Sequence, residues 1–565
     1  MCGIAGILRK HEPVSEEALG SLADALAHRG PNGRGLWIDK TVGLGHRRLS
    51  ILDLSEQGRC PMSYTAPHGG EYVITYNGEV YNFIELRDEL AGEGYEFHTA
   101  TDTEVVVASY ARWGEACLDR FNGMWALAIW DKQKGSLFLA RDRFGIKPLY
   151  YLFQGSDFYF ASELKAFRKI SGFKRTLNEG YAREALHLSQ PLEGTRDETL
   201  MSGVHRLMPG SLMEVVSGRP PRIRKWWETK EHYVEVPASY EEQVAGWKKL
   251  FLDAVRLRLR SDVPVATSLS GGLDSSSVAG ALAYVGKSGS RDARRAPSWQ
   301  QCFISTFPGT AIDERKYAEE VVSWTGAVPH YTEFESEEGI RGVVESVWTM
   351  EDVYPAIATP VIENYRAMSR KGVVVSLDGH GGDELLGGYD WYLATPMKDL
   401  NERLYQQFHE NLLPSILKNF DRCSMASGVE VRMPFMDWRL VTYTFSLPPE
   451  TKIGGGYTKR ILREAMQGLV PESILKRRSK IGFNSPMIEW FNAGLNGVVE
   501  KTIRHPRWNE SRLFDGRKLG AEILTKIQDR SFTQADWGKT LTYWSYLNLI
   551  IWEMLFLDDE SVFGM

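Results

Sequence analysis

Hydrophobic and polar positions along this 565-residue chain change rhythm near residue 235. Before that point the apolar stretches are short and alternating, as half-buried strands require. Glu71–Tyr76, Met124–Trp130 and Leu137–Ala140 read as strands, with helical patches at Ser15–Ala27 and Asn82–Ala91. Beyond it, apolar strands alternate with longer helices, the pattern of a parallel α/β sheet. Val263-Pro264-Val265-Ala266 and Gly372–Leu377 are two such strands, and Ser277–Tyr284 is a helix. The polar stretch Trp226–Ala238 reads as a linker, dividing the chain into domains 1–235 and 236–565. Lys287–Pro297, rich in Ser, Gly and Arg, reads as a solvated loop. Tyr546–Leu557 reads as a buried helix and Asp558–Met565 as a frayed acidic tail.

Composition narrows the class. A net charge of −6 offers no nucleic-acid surface and no patch for an anionic membrane. The five cysteines (Cys2, Cys60, Cys117, Cys302, Cys423) are scattered without a C-x-x-C pair, which argues against a disulfide framework and a zinc site. Tyr546–Leu557 is too short to span a bilayer and carries Glu553. No secretory signal is recognised, and the expected location is the cytoplasm.

The chemistry starts at Met1-Cys2-Gly3. With the initiator Met removed, the Cys2 thiol would lie beside its own α-amino group. That amine has an ordinary pKa of about 7.7–8.0 against about 8.5 for a thiol, so it can serve as general base. Four further blocks follow: His28-Arg29-Gly30-Pro31-Asn32-Gly33, His46-Arg47-Arg48-Leu49-Ser50-Ile51, Tyr76-Asn77-Gly78-Glu79-Val80-Tyr81-Asn82 and Thr101-Asp102-Thr103-Glu104. Taken singly, Asn77-Gly78 reads as a hairpin turn and Arg48 as a surface charge. In this order the blocks resemble class II, N-terminal-nucleophile glutamine amidotransferases, as do Arg141–Tyr150 and Ala161-Ser162-Glu163. The resemblance implies an αββα sandwich with Cys2 as nucleophile. It implies an oxyanion hole from the Asn77 amide and the Gly78 N–H. Arg48 would grip the glutamine α-carboxylate, Ile51 would line the same pocket, and Glu79 and Asp102 would hold the ammonium.

In the second half, Ser268-Leu269-Ser270-Gly271-Gly272-Leu273-Asp274-Ser275-Ser276 lies between an apolar run and a helical one. Strand, Gly/Ser loop and helix aim backbone N–H groups at one anion-sized volume. No GK[ST] follows, so the loop is not a Walker motif. It resembles the pyrophosphate loop of ATP pyrophosphatases, a parallel α/β fold. Asp378-Gly379-His380-Gly381-Gly382-Asp383-Glu384 resembles that family's second nucleotide loop, Asp421–Asp437 a scaffold segment, and Gly456–Arg463 the segment of a catalytic lysine, here Lys459. The resemblance implies ATP contacts at Leu269, Ser270, Gly271, Gly272, Leu273, Asp274, Ser275, Ser305, Asp378 and Gly379. It implies Mg²⁺ at Asp274 and Asp383.

The whole chain thus resembles the glutamine-hydrolysing asparagine synthetase family. That implies glutamine, ATP and a carboxylic-acid acceptor as partners, amidation through an acyl-adenylate, and passage of ammonia between the sites. Neither a nucleic acid nor a membrane is expected, and a homodimer stays open. One departure stands out. The family reads Ser-Gly-Glu where this chain reads Asp378-Gly379-His380. Either Asp378 replaces the missing carboxylate and the chain converts L-aspartate to L-asparagine, or the acceptor differs, as a specialised-metabolite acid or a surface-sugar carboxylate would. The expectation favours a non-aspartate acid, with His380 and Glu384 as acceptor-site candidates. A plain glutaminase partner is disfavoured by the intact Ser270–Ser275 loop and Lys459. A regulatory relative or a β-lactam-synthetase-like cyclase is disfavoured by intact Cys2, Arg48, Asn77 and Asp102.

Overall fold

In the strand Gly3–Leu8 alternate residues part company. Ile4 and Leu8 join an apolar cluster with Val73, Ala126 and Leu137, whereas Ala5 and Ile7 pack with Leu19 and Leu22 of the helix Glu16–Asp24. The same split recurs in Glu71–Val80. Val73 turns inward, and Tyr72, Ile74 and Tyr76 pack with Val106 and Tyr110 of the helix Asp102–Trp113. A period of two on both faces requires two stacked sheets with helices outside. The computed structural model, which describes residues 1–287, 294–310, 312–334, 342–478 and 485–560, has that arrangement.

One sheet runs in the order Val204–Arg206, Tyr150–Gln154, Asp157–Ala161, Gly3–Leu8, Val42–Arg48, Gly33–Asp39. The other runs Arg222–Lys225, Ser211–Val216, Ser136–Arg141, Gly123–Asp131, Glu71–Val80, Met62–Thr65. Every neighbouring pair in both is antiparallel. This is the αββα sandwich expected of the first half.

The second half carries a five-stranded parallel sheet, ordered Val328–Glu333, Gln301–Thr306, Val265–Ser268, Val375–Leu377, Glu430–Arg432. Its central strand is the first in sequence, and later strands add on both sides of it. Such a reversal opens a crevice at the carboxyl ends of the strands. The loops at Ser268–Gly272 and Asp378–Gly381 both leave from that edge.

The two halves share one core. Met1, Leu49, Ile51, Met124, Phe144 and Ile146 belong to the same apolar cluster as Leu377, Val431, Met433 and Met436. Charge crosses the boundary as well. Arg29 is fully buried and pairs with Glu163 at 2.7 Å and with Asp421 at 2.9 Å. Arg422 reaches Glu163 at 3.0 Å and Glu351 at 3.1 Å. Buried charges are tolerable only when matched in this way.

Three expectations change. Trp226–Ala238 is no free tether. Trp227 is buried beneath Arg143, whose guanidinium carbon lies 4.4 Å from its ring, and Lys230 pairs with Glu402 at 2.9 Å. The apolar Tyr546–Leu557 is the end of a longer helix, Trp537–Phe556. Asp558 and Asp559 are not frayed: Asp558 pairs with Arg507, and Asp559 with Arg168 and with Arg175 at 2.6 Å. Residues 561–565 of that tail, and 288–293 of the Lys287–Pro297 segment, lie outside the described residues. Among the described residues no helix is long and apolar enough to cross a membrane.

Candidate functional site

The first site forms where Gly3–Leu8, Val42–Arg48 and Glu71–Val80 meet. Cys2, Arg48, Ile51, Gly78, Glu79 and Asp102 line one cavity of about 40 Å³, and Glu430 joins them from the second half. Met1 is present and buried, and its ammonium sits 3.4 Å from Glu430. The Cys2 N–H donates to Asn77 Oδ1 at 3.0 Å. That contact turns Asn77 Nδ2 the other way, where it is buried without a hydrogen-bond partner among the described residues. A free buried donor is costly in a resting protein and useful to a developing negative charge. Gly78 is required sterically, since a Cβ there would collide with the Met124 carbonyl.

Burial raises the Cys2 thiol above its ordinary pKa, against the pull of the nearby N-terminal charge. His46 lines the same cavity but donates from Nε2 to the Tyr76 carbonyl at 3.0 Å. Burial holds it at about 4, so it is a poor base for the thiol. The Arg48 fork is oriented by two carbonyls, those of Ser55 at 2.7 Å and of Asp53.

Three carboxyls converge beside it. Burial and the Asp102 charge push Glu79 well above the carboxylate range. Burial raises Asp102 to about 6, although the Val80 N–H and the Tyr76 hydroxyl donate to it at 2.9 Å each. Burial opposes ionisation of Glu430 too, but Arg432 and the Met1 ammonium bring it below its ordinary value. Arg29, in the His28–Gly33 block, donates from Nε to the Cys2 carbonyl at 3.1 Å. That block therefore anchors the Cys2 backbone and joins the two halves.

The second site is a cavity of about 400 Å³ at the carboxyl edge of the parallel sheet. Leu269, Ser270, Gly272, Leu273, Asp274 and Ser275 line it, as do Ser305, Asp378 and Gly379. Gly271 falls outside the lining: its carbonyl accepts from Arg477 at 3.3 Å. Lys459 Nζ lies 2.5 Å from both Asp274 Oδ2 and Asp383 Oδ1. Its backbone is left-handed, φ 53°, at the entry to the helix Arg460–Ala465, which aims the side chain inward. Gly388 packs on this trio, where a Cβ would overlap Asp383 and Lys459.

Asp378 is fully committed. Its Oδ1 accepts from Ser376 Oγ at 2.5 Å and from the Ser268 N–H at 3.1 Å, and its Oδ2 accepts from Tyr365 at 2.5 Å. Burial still raises it to about 6. His380 Nδ1 is 4.0 Å from Asp378, and its ring packs on Phe420 with centroids 3.4 Å apart. Glu384 is buried and accepts from the Tyr389 hydroxyl at 2.5 Å.

Sequence reasoning missed several of these groups. Glu430 and Arg432 were legible only as scaffold, because nothing local signals that they reach the first site. Tyr365, Ser376, Asn364 and Phe420 sit in ordinary helical or strand patterns. Arg477-Arg478, at the rim of the second cavity, had a weak signal as a basic pair.

Comparison with known proteins agrees with this layout. Residues 1–227 match the glutamine amidotransferase domain family, and 246–403 with 395–553 match the asparagine synthase family. Together with the two cavities, these matches define a glutamine amidotransferase joined to an ATP-dependent ligase. Asparagine synthetase [glutamine-hydrolyzing] 3 of Bacillus subtilis is 31% identical, covering 85% of this chain and 86% of that protein. Asparagine synthetase B of Escherichia coli is 30% identical over 85% of this chain and 81% of its own length. Amidase chyE of Penicillium rubens is 33% identical over 80% and 69%. The chain belongs to the glutamine-hydrolysing asparagine synthetase family, carbon–nitrogen ligases that use ATP and glutamine-derived nitrogen to form an amide.

Proposed function

We propose that the chain amidates a carboxylic acid other than L-aspartate, using Cys2 to release ammonia and the Lys459 cavity to activate the acid. One observation carries the acceptor reading. Asp378 is buried, and its two oxygens accept three hydrogen bonds, from Ser376, Ser268 and Tyr365, that hold it in the interior of the fold. Asp378 therefore does not restore the carboxylate that the family places at the His380 position.

With Met1 removed, the Cys2 nitrogen becomes an amine held against Asn77 Oδ1. It takes the thiol proton as sulfur attacks the glutamine amide carbon. Asn77 Nδ2 and the Gly78 N–H then stabilise the oxyanion. Ammonia leaves, and water hydrolyses the thioester. Arg48 takes the glutamine α-carboxylate, beside Ile51, and Glu79 and Asp102 take its ammonium, in the acidic corner where the Met1 ammonium now sits.

In the second site the ATP set is Leu269 to Ser275 with Ser305, Asp378 and Gly379. An acceptor carboxylate oxygen attacks the α-phosphorus and pyrophosphate leaves. Ammonia then attacks the acyl carbon and AMP leaves. Lys459 offsets charge growing on the phosphoryl oxygens. Asp274 and Asp383 share one ammonium, so they are close enough to share a cation. Two carboxylates plus phosphate oxygens suit Mg²⁺, which usually keeps water and substrate ligands. They would hold it, and it would neutralise the triphosphate. His380 and Glu384 are placed at the acceptor. Free thiols at all five cysteines fit a cytoplasmic enzyme. The reading divides the chain into 1–235 and 236–565, with a homodimer as the assembly to test by light scattering.

The test measures pyrophosphate release and amide formation with ATP, Mg²⁺, glutamine or ammonia, and a panel of acids. Asparagine formation at a kcat/KM of about 10⁴ M⁻¹s⁻¹ or above would return the chain to the housekeeping reaction. In Cys2→Ala, glutamine-supported amidation should vanish while ammonia-supported amidation persists. Equal loss of both overturns the two-site reading.

A further inference from the structure

We infer that the acceptor is an acid with an apolar, ring-bearing body seated on a wall made by His380, Phe420, Ile416, Leu412 and Tyr354. This rests on the reading that the second site adenylates an acid other than aspartate.

The wall comes from one helix face. Ile416, Asn419 and Phe420 of the helix Leu413–Met425, with Leu412 just before it, are spaced by three and four residues, so they share a side. All of them line the 400 Å³ cavity. The helix also carries basic residues, but these turn elsewhere. Lys418 pairs with Asp352 at 2.6 Å and Glu193 at 2.7 Å, and Arg422 with Glu163 and Glu351. The polar member of the stripe is committed too. Asn419 Nδ2 donates to the Tyr354 hydroxyl at 2.9 Å, and its Oδ1 accepts from the Cys423 thiol at 3.1 Å.

Of the other cations lining the cavity, Arg463 donates to the Thr458, Leu475 and Arg477 carbonyls and Arg478 lies over the Tyr457 ring. Lys459 holds Asp274, and Arg477 holds the Gly271 carbonyl and Glu314. An amino-acid acceptor would bring an α-carboxylate to a wall on which the described residues place no Lys or Arg, and would leave that charge poorly matched there. A flat apolar body meets the opposite conditions. The His380–Phe420 pair and Tyr354 offer ring faces and edges, and Ile416 and Leu412 offer aliphatic surface. His380 stands where the family carries a fixed anion, so the exchange removes charge from this wall and adds a ring. Both changes favour the same class of ligand.

The experiment compares pyrophosphate release, with ATP, Mg²⁺ and ammonia, across aromatic monocarboxylates, branched aliphatic monocarboxylates, L-aspartate and a hexuronic acid. The expected result is a kcat/KM for the best aromatic acid at least about a hundredfold above that for L-aspartate or the uronate, the scale on which a site rejects a group it cannot solvate. Phe420→Ala should raise KM for that acid about tenfold with kcat within about twofold. Phe420→Leu, which preserves apolar volume, should shift preference from rings toward branched chains. A preference for L-aspartate or the uronate overturns the inference while the adenylation reading stands. So does an unchanged KM in both Phe420 variants. Pyrophosphate release with no acid of any class sinks the adenylation reading and this inference with it.

Discussion

Asn77→Ala separates catalysis from architecture at the first site. Asn77 is fully buried, its Oδ1 holds the Cys2 nitrogen at 3.0 Å, and its Nδ2 has no partner among the described residues. Loss of a single oxyanion donor costs roughly 10²–10³ in kcat, about 2.7–4 kcal/mol of transition-state stabilisation. The resting protein should suffer far less. Leaving that N–H unbonded already costs the folded state about 1–3 kcal/mol, and truncation removes this penalty while opening a small cavity and taking the acceptor from the Cys2 N–H. The assay is glutamate release by protein lacking Met1, fitted for kcat and KM, beside a denaturant melt. The expectation is a drop in kcat of two to three decades, little change in KM and a melt close to that of the parent. Asn77→Asp retains the Oδ1 acceptor but supplies no donor and adds charge near Glu79 and Asp102, so it should fall at least as far. A change confined to KM, or a stability loss of several kcal/mol with kcat preserved, refutes the oxyanion assignment.

Lys459→Ala should abolish pyrophosphate release with glutamine or ammonia, because the charge growing on the phosphoryl oxygens loses the ammonium that offsets it. Normal release in that variant would reduce the lysine to a structural counter-ion. The glutaminase pH profile should follow Asp102. Burial raises its folded pKa to about 6, so the carboxyl is protonated and unable to hold an ammonium below that value. kcat/KM should therefore climb as pH rises through about 6, and further as the Cys2 amine loses its proton, with a flat profile from 5 to 7 as the contrary result. The sign for stability is opposite, since ionising a carboxyl whose folded pKa is raised costs folding free energy as pH rises from about 4 to 6. Arg29→Met should destabilise the chain by about 3–5 kcal/mol in chemical denaturation, because Glu163 and Asp421 lose a buried partner. A loss below about 1 kcal/mol would show that Lys165, Arg422 and Lys147 compensate.

The sequence by itself determined the local frame of both sites. Alternation marks Glu71–Tyr76, Met124–Trp130 and Leu137–Ala140 as strands, while the αββα sandwich followed from the family resemblance and not from that period. The Gly-rich turn at Ser270–Asp274 and its following helix specify an anion cradle, because loop and helix N-terminus are contiguous in the chain. Cys2, Asn77 and Gly78 were legible as candidates only through the order of their blocks, since Asn77-Gly78 alone reads as a hairpin turn. Tertiary structure decided what depends on separated segments meeting. Glu430 enters the first cavity only because the two halves share a core. Arg29 becomes a buried crossing point only because Asp421, 392 positions away, folds against it. Whether Asp378 could replace a missing glutamate was undecided in sequence, since either residue role fits the same letter. In the structure its oxygens accept from Ser376, Tyr365 and the Ser268 N–H, and the last two partners come from a helix and a strand that meet Asp378 only on folding.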